Sequence, residues 1–385
     1  MSVLAFLFVF CVGAAGYWLL RKAHFPNPGM LGAMVSTGTL NLVGWYPSFA
    51  TWPVSFAASV VIGIMLGRQI TRGILAKIRK LALPVLVHTT GMLLLSLLAG
   101  SFLYHSLKDS GVSLATALVS GTAGGLAEMV LFGLSIHADV GVIAFIQLVR
   151  ICLFLALIPY VLRLSQQTSS TSGADASTAT HLNSTSSVLY GLGRLCKLDK
   201  LDKLDKSGEP DGPHSLMGRD KFTTSTYIPL ILLAIAGAWA GDTLHVPAGA
   251  MLGSMLACGG FALIIGKEYS FDSRARLLAQ IALGVIMGNR ITPEMIALLE
   301  ALVFPALLST AIMLVGCVTL TFFMHKLTGL GLVTCFLCSA PAGLSQVILH
   351  ADEAGADPLT ATVFHTARLV GIVAFYPWII FPFLH

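Results

Sequence analysis

Charge is what this sequence has least of. Of its 385 residues only 11% are Asp, Glu, Lys or Arg, while 56% are hydrophobic; an average soluble domain carries roughly 25% charge. A chain this poor in charge is excluded as a water-soluble globule. A disulfide framework is missing too. The seven cysteines are an odd number and lie mostly in apolar runs (Cys11, Cys152, Cys258, Cys317, Cys335, Cys338), which excludes a small secreted scaffold. No basic stretch precedes the first apolar run, 3–20, whereas Arg21 and Lys22 follow it. That order argues against a cleaved signal peptide. It predicts a retained first helix with its positive flank in the cytoplasm and the N-terminus outside. The histidines are scattered, so the two or three ligands of a copper or iron oxygenase are not in evidence, and no cofactor is expected. Cys335 and Cys338 have C-x-x-C spacing but no second ligand pair.

What is present is apolar sequence in membrane-length pieces. At about 20 residues per crossing there is room for ten to twelve. The first half offers 3–20, 26–43, 52–67, 83–106, 113–136 and 141–163. The second offers 227–242, 247–265, 275–289, 299–325, 328–350 and 358–383. Between them runs one long polar stretch, Ser/Thr-rich at first and then stuttering through Lys197-Leu198-Asp199-Lys200-Leu201-Asp202. It lacks the apolar content for a core and reads as a linker. Its seven basic and seven acidic residues cancel, and nothing there suggests direct nucleic-acid binding. The expected organisation is a membrane repeat at 1–163, a cytoplasmic linker at 164–225 and a second membrane repeat at 226–385.

The halves repeat each other. At an offset of 221, Pro26, Met30-Leu31-Gly32 and Met34 match Pro247, Met251-Leu252-Gly253 and Met255. Gly63, Gly67, Ile70-Thr71 and Pro84 likewise match Gly284, Gly288, Ile291-Thr292 and Pro305. After a three-residue gap the offset is 218: Gly125-Leu126 matches Gly343-Leu344, Ala138-Asp139 matches Ala356-Asp357, and Arg150 matches Arg368. Shared hydrophobicity does not align rare in-membrane Pro, Asp and Arg, so this is a duplication of the kind transporters carry.

Equivalent loops differ in charge. Loop 68–80 holds Arg68, Arg72, Lys77, Arg79 and Lys80 against Arg290, Glu294 and Glu300 in its counterpart. Loop 267–276 holds Lys267, Arg274 and Arg276 against no charge at 44–52. The positive-inside bias then places equivalent loops on opposite sides, which needs an odd number of crossings per half. The expected fold is an all-α polytopic membrane protein, an inverted repeat with five spans and one re-entrant or broken segment in each half. The broken segments are 113–136 and 328–350, interrupted at Gly121–Gly125 and Ala340–Gly343.

Such paired breaks mark binding sites, because non-helical backbone survives at membrane depth only inside protein or against a wet cavity. Gly124, Gly125, Pro341 and Gly343 form the breaks, followed by Glu128 and Gln346; the plain alternative is close helix packing. Arg150 and Arg368 lie inside the last segments, with Gln147 and His365 three residues before them on the same helix face. Buried arginines suit either a central anion, gripped bidentately, or structural ion pairs of Arg150 with Glu128 or Asp139 and of Arg368 with Asp357. Asp139 and Asp357 read as helix N-caps. His88, whose counterpart is Ser309, reads as an interior histidine unless it carries a proton.

Taken together, Ala123-Gly124-Gly125-Leu126-Ala127-Glu128 with Ala138-Asp139 and Arg150, and Ala340-Pro341-Ala342-Gly343-Leu344-Ser345-Gln346 with Ala356-Asp357, His365 and Arg368, resemble the AbrB membrane family. The duplication, the Pro-x-x-x-Met-Leu-Gly segments and Gly288-Asn289-Arg290 agree with it. The resemblance covers nearly everything except the linker. It implies a fold related to inverted-repeat antiporters and anion transporters, and its members have been labelled both regulators of gene expression and ammonia monooxygenases. The expectation is a carrier of a small anionic metabolite in the bacterial inner membrane, not an enzyme, with Glu128 or His365 coupling a proton or cation. A membrane-embedded sensor is the alternative, and a metal-dependent monooxygenase a distant third. The lipid bilayer, the anion and further copies of the chain are the partners considered.

Overall fold

A computed structural model describes residues 2–23, 25, 27–45, 49–170, 224–266, 269, 272–341 and 356–380. Most of the polar linker, and with it Gly343 and Gln346, lies outside the described residues. Among those described there are helices and turns and no strand.

The apolar runs become helices nearly residue for residue. In the first half these are α1 (Ser2–Lys22), α2 (Pro28–Leu42), α3 (Thr51–Gly67), α4 (Arg72–Lys80), α5 (Ala82–Leu107), α6 (Leu114–Gly121), α7 (Leu126–Ser135) and α8 (Val140–Ser170). The second half gives α9 (Thr224–Thr243), α10 (Gly249–Ile265), α11 (Ser273–Gly288), α12 (Pro293–Thr328), α13 (Leu332–Ser339) and α14 (Pro358–Ile380). The starts are chemically marked. Pro28 opens α2, where a missing N–H costs nothing. The side chains of Thr71, Ser113 and Asp272 accept from backbone amides in the first turns of α4, α6 and α11.

Four helices are long and apolar enough to cross a bilayer: Ala5–Lys22, Ala82–Ser110, Ile296–Thr328 and Pro358–Tyr376. These four are counted among the described residues; Thr51–Gly67 and Arg72–Lys80, bent by 60° at the break between them, pass the same test only when taken together. The apolar stretches Leu126–Ser135, Val140–Phe154, Tyr227–Thr243 and Gly249–Ile265 are shorter. The outer faces of the long helices suit lipid: Leu83, Leu86, Leu94 and Leu98 of α5, and Phe304, Val315, Phe322 and Phe323 of α12, are exposed. Water would not tolerate such stripes, and hydrocarbon does. This is the signature of a multi-pass membrane protein.

Two differences from the sequence reading have physical causes. Residues 72–80 form a basic amphipathic helix rather than a loop, because Ile74 and Ile78 turn inward while Arg72, Arg79 and Lys80 stay exposed. The equivalent stretch in the second half lacks the cations and runs unbroken into α12 through Pro305. Secondly, α8 continues to Ser170, seven residues past the expected boundary.

The helices sort into two groups. One combines α1, α2 and α3 with α9, α10 and α11; the other combines α5, α6 and α8 with α12, α13 and α14. Helix α7 touches both, packing on α8 and also on α3 and α11. In the first group the halves interleave reciprocally. A Cβ at Gly63 of α3 would lie 2.7 Å from the Met251 carbonyl of α10, and one at Gly284 of α11 would lie 2.3 Å from the Met30 carbonyl of α2. Gly67 abuts Met255 as Gly288 abuts Met34, and Ile70 covers Gly259 as Ile291 covers Gly38. Each contact recurs with its two halves exchanged, the mark of a two-fold relation.

Candidate functional site

The first break comes where expected, and at the second the preceding helix ends where expected, with the residues from 342 on lying outside those described. Helix α6 ends at Gly121 and α7 begins at Leu126; α13 ends at Ser339, leaving Ala340 and Pro341 buried. A helix that stops inside the protein leaves its last carbonyls without partners. Here arginines supply them. Arg150 Nη1 donates to the Thr122 carbonyl at 2.8 Å, and Arg368 Nη1 donates to the equivalent Ala340 carbonyl at 2.7 Å. A cation at a helix C-terminus also complements the helix dipole.

Each arginine is held by the residue three before it. Gln147 accepts from Arg150 Nη2 through Oε1 and donates to the Thr122 carbonyl at 3.1 Å through Nε2. His365 does the same work with a ring. Its Nε2 lies 3.0 Å from the Leu337 carbonyl and its Nδ1 lies 2.8 Å from Arg368 Nη2. A carbonyl only accepts and a guanidinium only donates, so the imidazole is neutral with its proton on Nε2. His365 is therefore an amide equivalent. His365→Gln is expected to keep the fold, with a melting temperature within about 3 °C, whereas His365→Leu strands the Arg368 donor at a cost of about 2 kcal/mol; thermal unfolding of the two purified variants checks this.

The proposed ion pairs of the arginines do not form. Asp139 caps α8, accepting from Gly141 and Val142 amides at 2.9 and 3.3 Å, while its own amide donates to Thr116 Oγ1 at 3.0 Å. Asp357 repeats this at α14, with the Leu359 amide at 3.0 Å and Thr334 Oγ1 at 3.4 Å. Its second oxygen takes the Thr360 hydroxyl and faces Lys77 of α4 at 3.4 Å. Burial works to raise this carboxyl's pKa. The Thr360 and Leu359 hydrogen bonds and the Lys77 charge more than offset it and hold the group below its ordinary value. Glu128 occupies the third position of α7, its carboxylate folded back over Gly125 so closely that any side chain there would collide with Oε2. The cation that acts on it is Arg276, which the structure places in the first turn of α11 rather than in a loop.

The two guanidinium groups lie within each other's electrostatic reach, and Cys317 of α12 is near both. Both are nearly fully buried, and in each the Nε has no hydrogen-bond partner among the described residues. Among the described residues no carboxylate pairs with either. A cavity of about 10 Å3 beside Arg150 is lined by Ser120, Gly121, Ser309 and Thr310 among others, room for about one water.

Two contributors, Ser96 and Tyr376, escaped the sequence reading, while a third residue, His88, was already visible in it. Ser96 of α5 accepts the Ala123 amide at 3.1 Å, closing the first break against a span. Its second-half equivalent is Cys317, opposite a proline that has no N–H to satisfy. Tyr376 of α14 donates to the Leu118 carbonyl of α6 at 2.8 Å, tying the second half to the first break. His88 packs edge-on to Phe364 at 5.2 Å between ring centroids. Only the last had a sequence signal, an imidazole in an apolar run.

The chain matches the family described as "Transition state regulatory protein AbrB" over residues 1–103 and 49–383. It is 22% identical over 328 residues to "Uncharacterized protein YhjN" of Bacillus subtilis (strain 168), covering 83% of this chain and 75% of that one. No solved structure matches.

Proposed function

Since the chain belongs to the AbrB family, matched over nearly its whole length, we propose that it is a secondary carrier for a small anionic metabolite in the inner membrane of a bacterial cell. The observation that carries the reading is the pair of buried guanidinium groups at the two breaks, each with a free Nε and no carboxylate partner among the described residues. Two such charges in a low-dielectric interior are costly unless an anion offsets them. Arginine is the side chain suited to gripping one. The grouping of helices supports a moving part: α5, α6, α8 and α12–α14 carry both breaks and would shift against the interleaved group. The water-sized cavity fits a closed state, with the metabolite admitted once the groups separate.

The two halves are inverted with respect to the membrane in this reading, with α4 on the cytoplasmic side. The loop charges and the reciprocal contacts support that orientation. With Cys11, Cys152 and the linker's Cys196 replaced, cysteines at Arg79 and Arg290 should label from opposite faces of the membrane; labelling from the same face sinks the inversion.

Counterflow into proteoliposomes tests the function, using labelled mono-, di- and tricarboxylates, phosphate and sulfate. Saturable exchange of at least one is expected. Specific binding without flux across the panel would favour instead a membrane-embedded sensor acting through a partner.

A further inference from the structure

His88 is the buried ionisable group that the scheme above leaves without a task. It sits in the second turn of α5, fully enclosed, and among the described residues neither ring nitrogen has a hydrogen-bond partner. The Cys338 backbone approaches the ring without the geometry of a hydrogen bond. Phe364, which it meets edge-on, stands one turn before Arg368 on the same face of α14. The Arg368 charge reaches the imidazole, and His88 in turn reaches His365. Around it, α14 thus contributes Arg368 and the neutral His365, α13 the Cys338 backbone, and α12 carries Cys317, whose influence falls on the guanidinium groups. Helix α6 has no ionisable side chain, and the cations of α4 (Lys77, Arg79, Lys80) lie before the start of α5. Among the described residues no carboxylate stands in this shell. The equivalent position in the second half is Ser309, on the wall of the cavity beside Arg150, so one arginine faces a hydroxyl and the other an imidazole.

We propose that His88 is the proton-binding site of the carrier and that it makes the protein a proton–anion symporter. A proton on His88 would set a second cation beside Arg368 in a medium that screens poorly. An anion seated on the free Nε of Arg368 removes that repulsion and gives the imidazolium a partner. Anion binding then draws one proton from solution onto the imidazole, and departure of the anion returns it. By linkage each ligand tightens the other by the same factor. His365 does not serve, because a second proton would break its bond from Arg368. Glu128 faces Arg276 rather than the arginine pair.

The inference rests on the carrier reading, and the test separates the two. Proteoliposomes are given an acid-outside pH gradient and the anion panel above, and accumulation is compared with counterflow at equal pH. Wild type is expected to accumulate at least about tenfold under the gradient. His88→Gln should lose that accumulation while keeping counterflow within about threefold. His88→Ser, which places the second-half residue (Ser309) at this position, is the second variant should the glutamine protein fail to fold. Gradient-driven accumulation by either folded variant at the wild-type level overturns the assignment of His88 and leaves the carrier standing. Wild-type counterflow indifferent to the gradient overturns it equally. No counterflow in wild type removes the carrier, and the symport with it.

Discussion

Arg150→Lys and Arg368→Lys are each expected to lower saturable anion uptake by about a hundredfold or more while the protein remains in the membrane. Lysine keeps the charge but not the fork. In the native protein one guanidinium nitrogen caps the broken helix at Thr122 or Ala340, a second is held by Gln147 or His365, and the third is free. An ammonium cannot hold the carbonyl and offer a fixed donor to an anion from one rigid plane. Hydrogen bonds to charged groups contribute about 1.5–3 kcal/mol each, and two lost in the transport complex exceed the roughly 2.8 kcal/mol of a hundredfold change. Initial rates at low anion concentration measure the effect, with gel filtration of the solubilised variants reporting fold. Unchanged uptake in both would leave the arginines as helix caps alone.

Among the glycines that seat one half against the other, Gly284→Val should be the most damaging change, and Gly63→Val should follow it closely. A Cβ at 284 falls 2.3 Å from the Met30 carbonyl and 2.7 Å from the Ala33 side chain. Backbone cannot yield there without prising α11 from α2. Overpacking costs about 1–3 kcal/mol where side chains can give way; here a carbonyl must move, and a loss of about 4 kcal/mol is expected, in the range reserved for steric failure in a core. Thermal unfolding in detergent checks it. Comparable losses at 63 and 284 would express the two-fold relation in energy, and a loss at one site alone would contradict it.

Much of this architecture was legible because lipid imposes simple rules. Helix positions followed from apolar runs, and the breaks from glycine and proline where α6 and α13 now end and α7 begins. The equivalences at offsets 221 and 218 named residues that turn out to make the same bonds, Asp139 with Asp357 and Arg150 with Arg368. What escaped was pairing between elements distant in sequence. Nothing in the periodicity of α3 says that Gly63 meets α10, since one small residue fits many partners. Spacing put Arg150 near Glu128 and Asp139 but could not show that backbone amides would take Asp139 and that α7 would carry Glu128 toward Arg276. Charge alone made 68–80 look like a loop, although Ile74 and Ile78 give it an inward face.

The reciprocal packing of α2 on α11 and of α3 on α10 bears on how the protein is made. The partner of Gly67 is Met255, and that of Met34 is Gly288, so neither repeat can complete its helix contacts from its own residues. Synthesis proceeds at about 5–20 residues per second. The first repeat must therefore wait in the bilayer, close-contact glycines exposed, for roughly 10–50 seconds before α10 and α11 emerge. Biogenesis is in effect the assembly of two subunits that one chain happens to join.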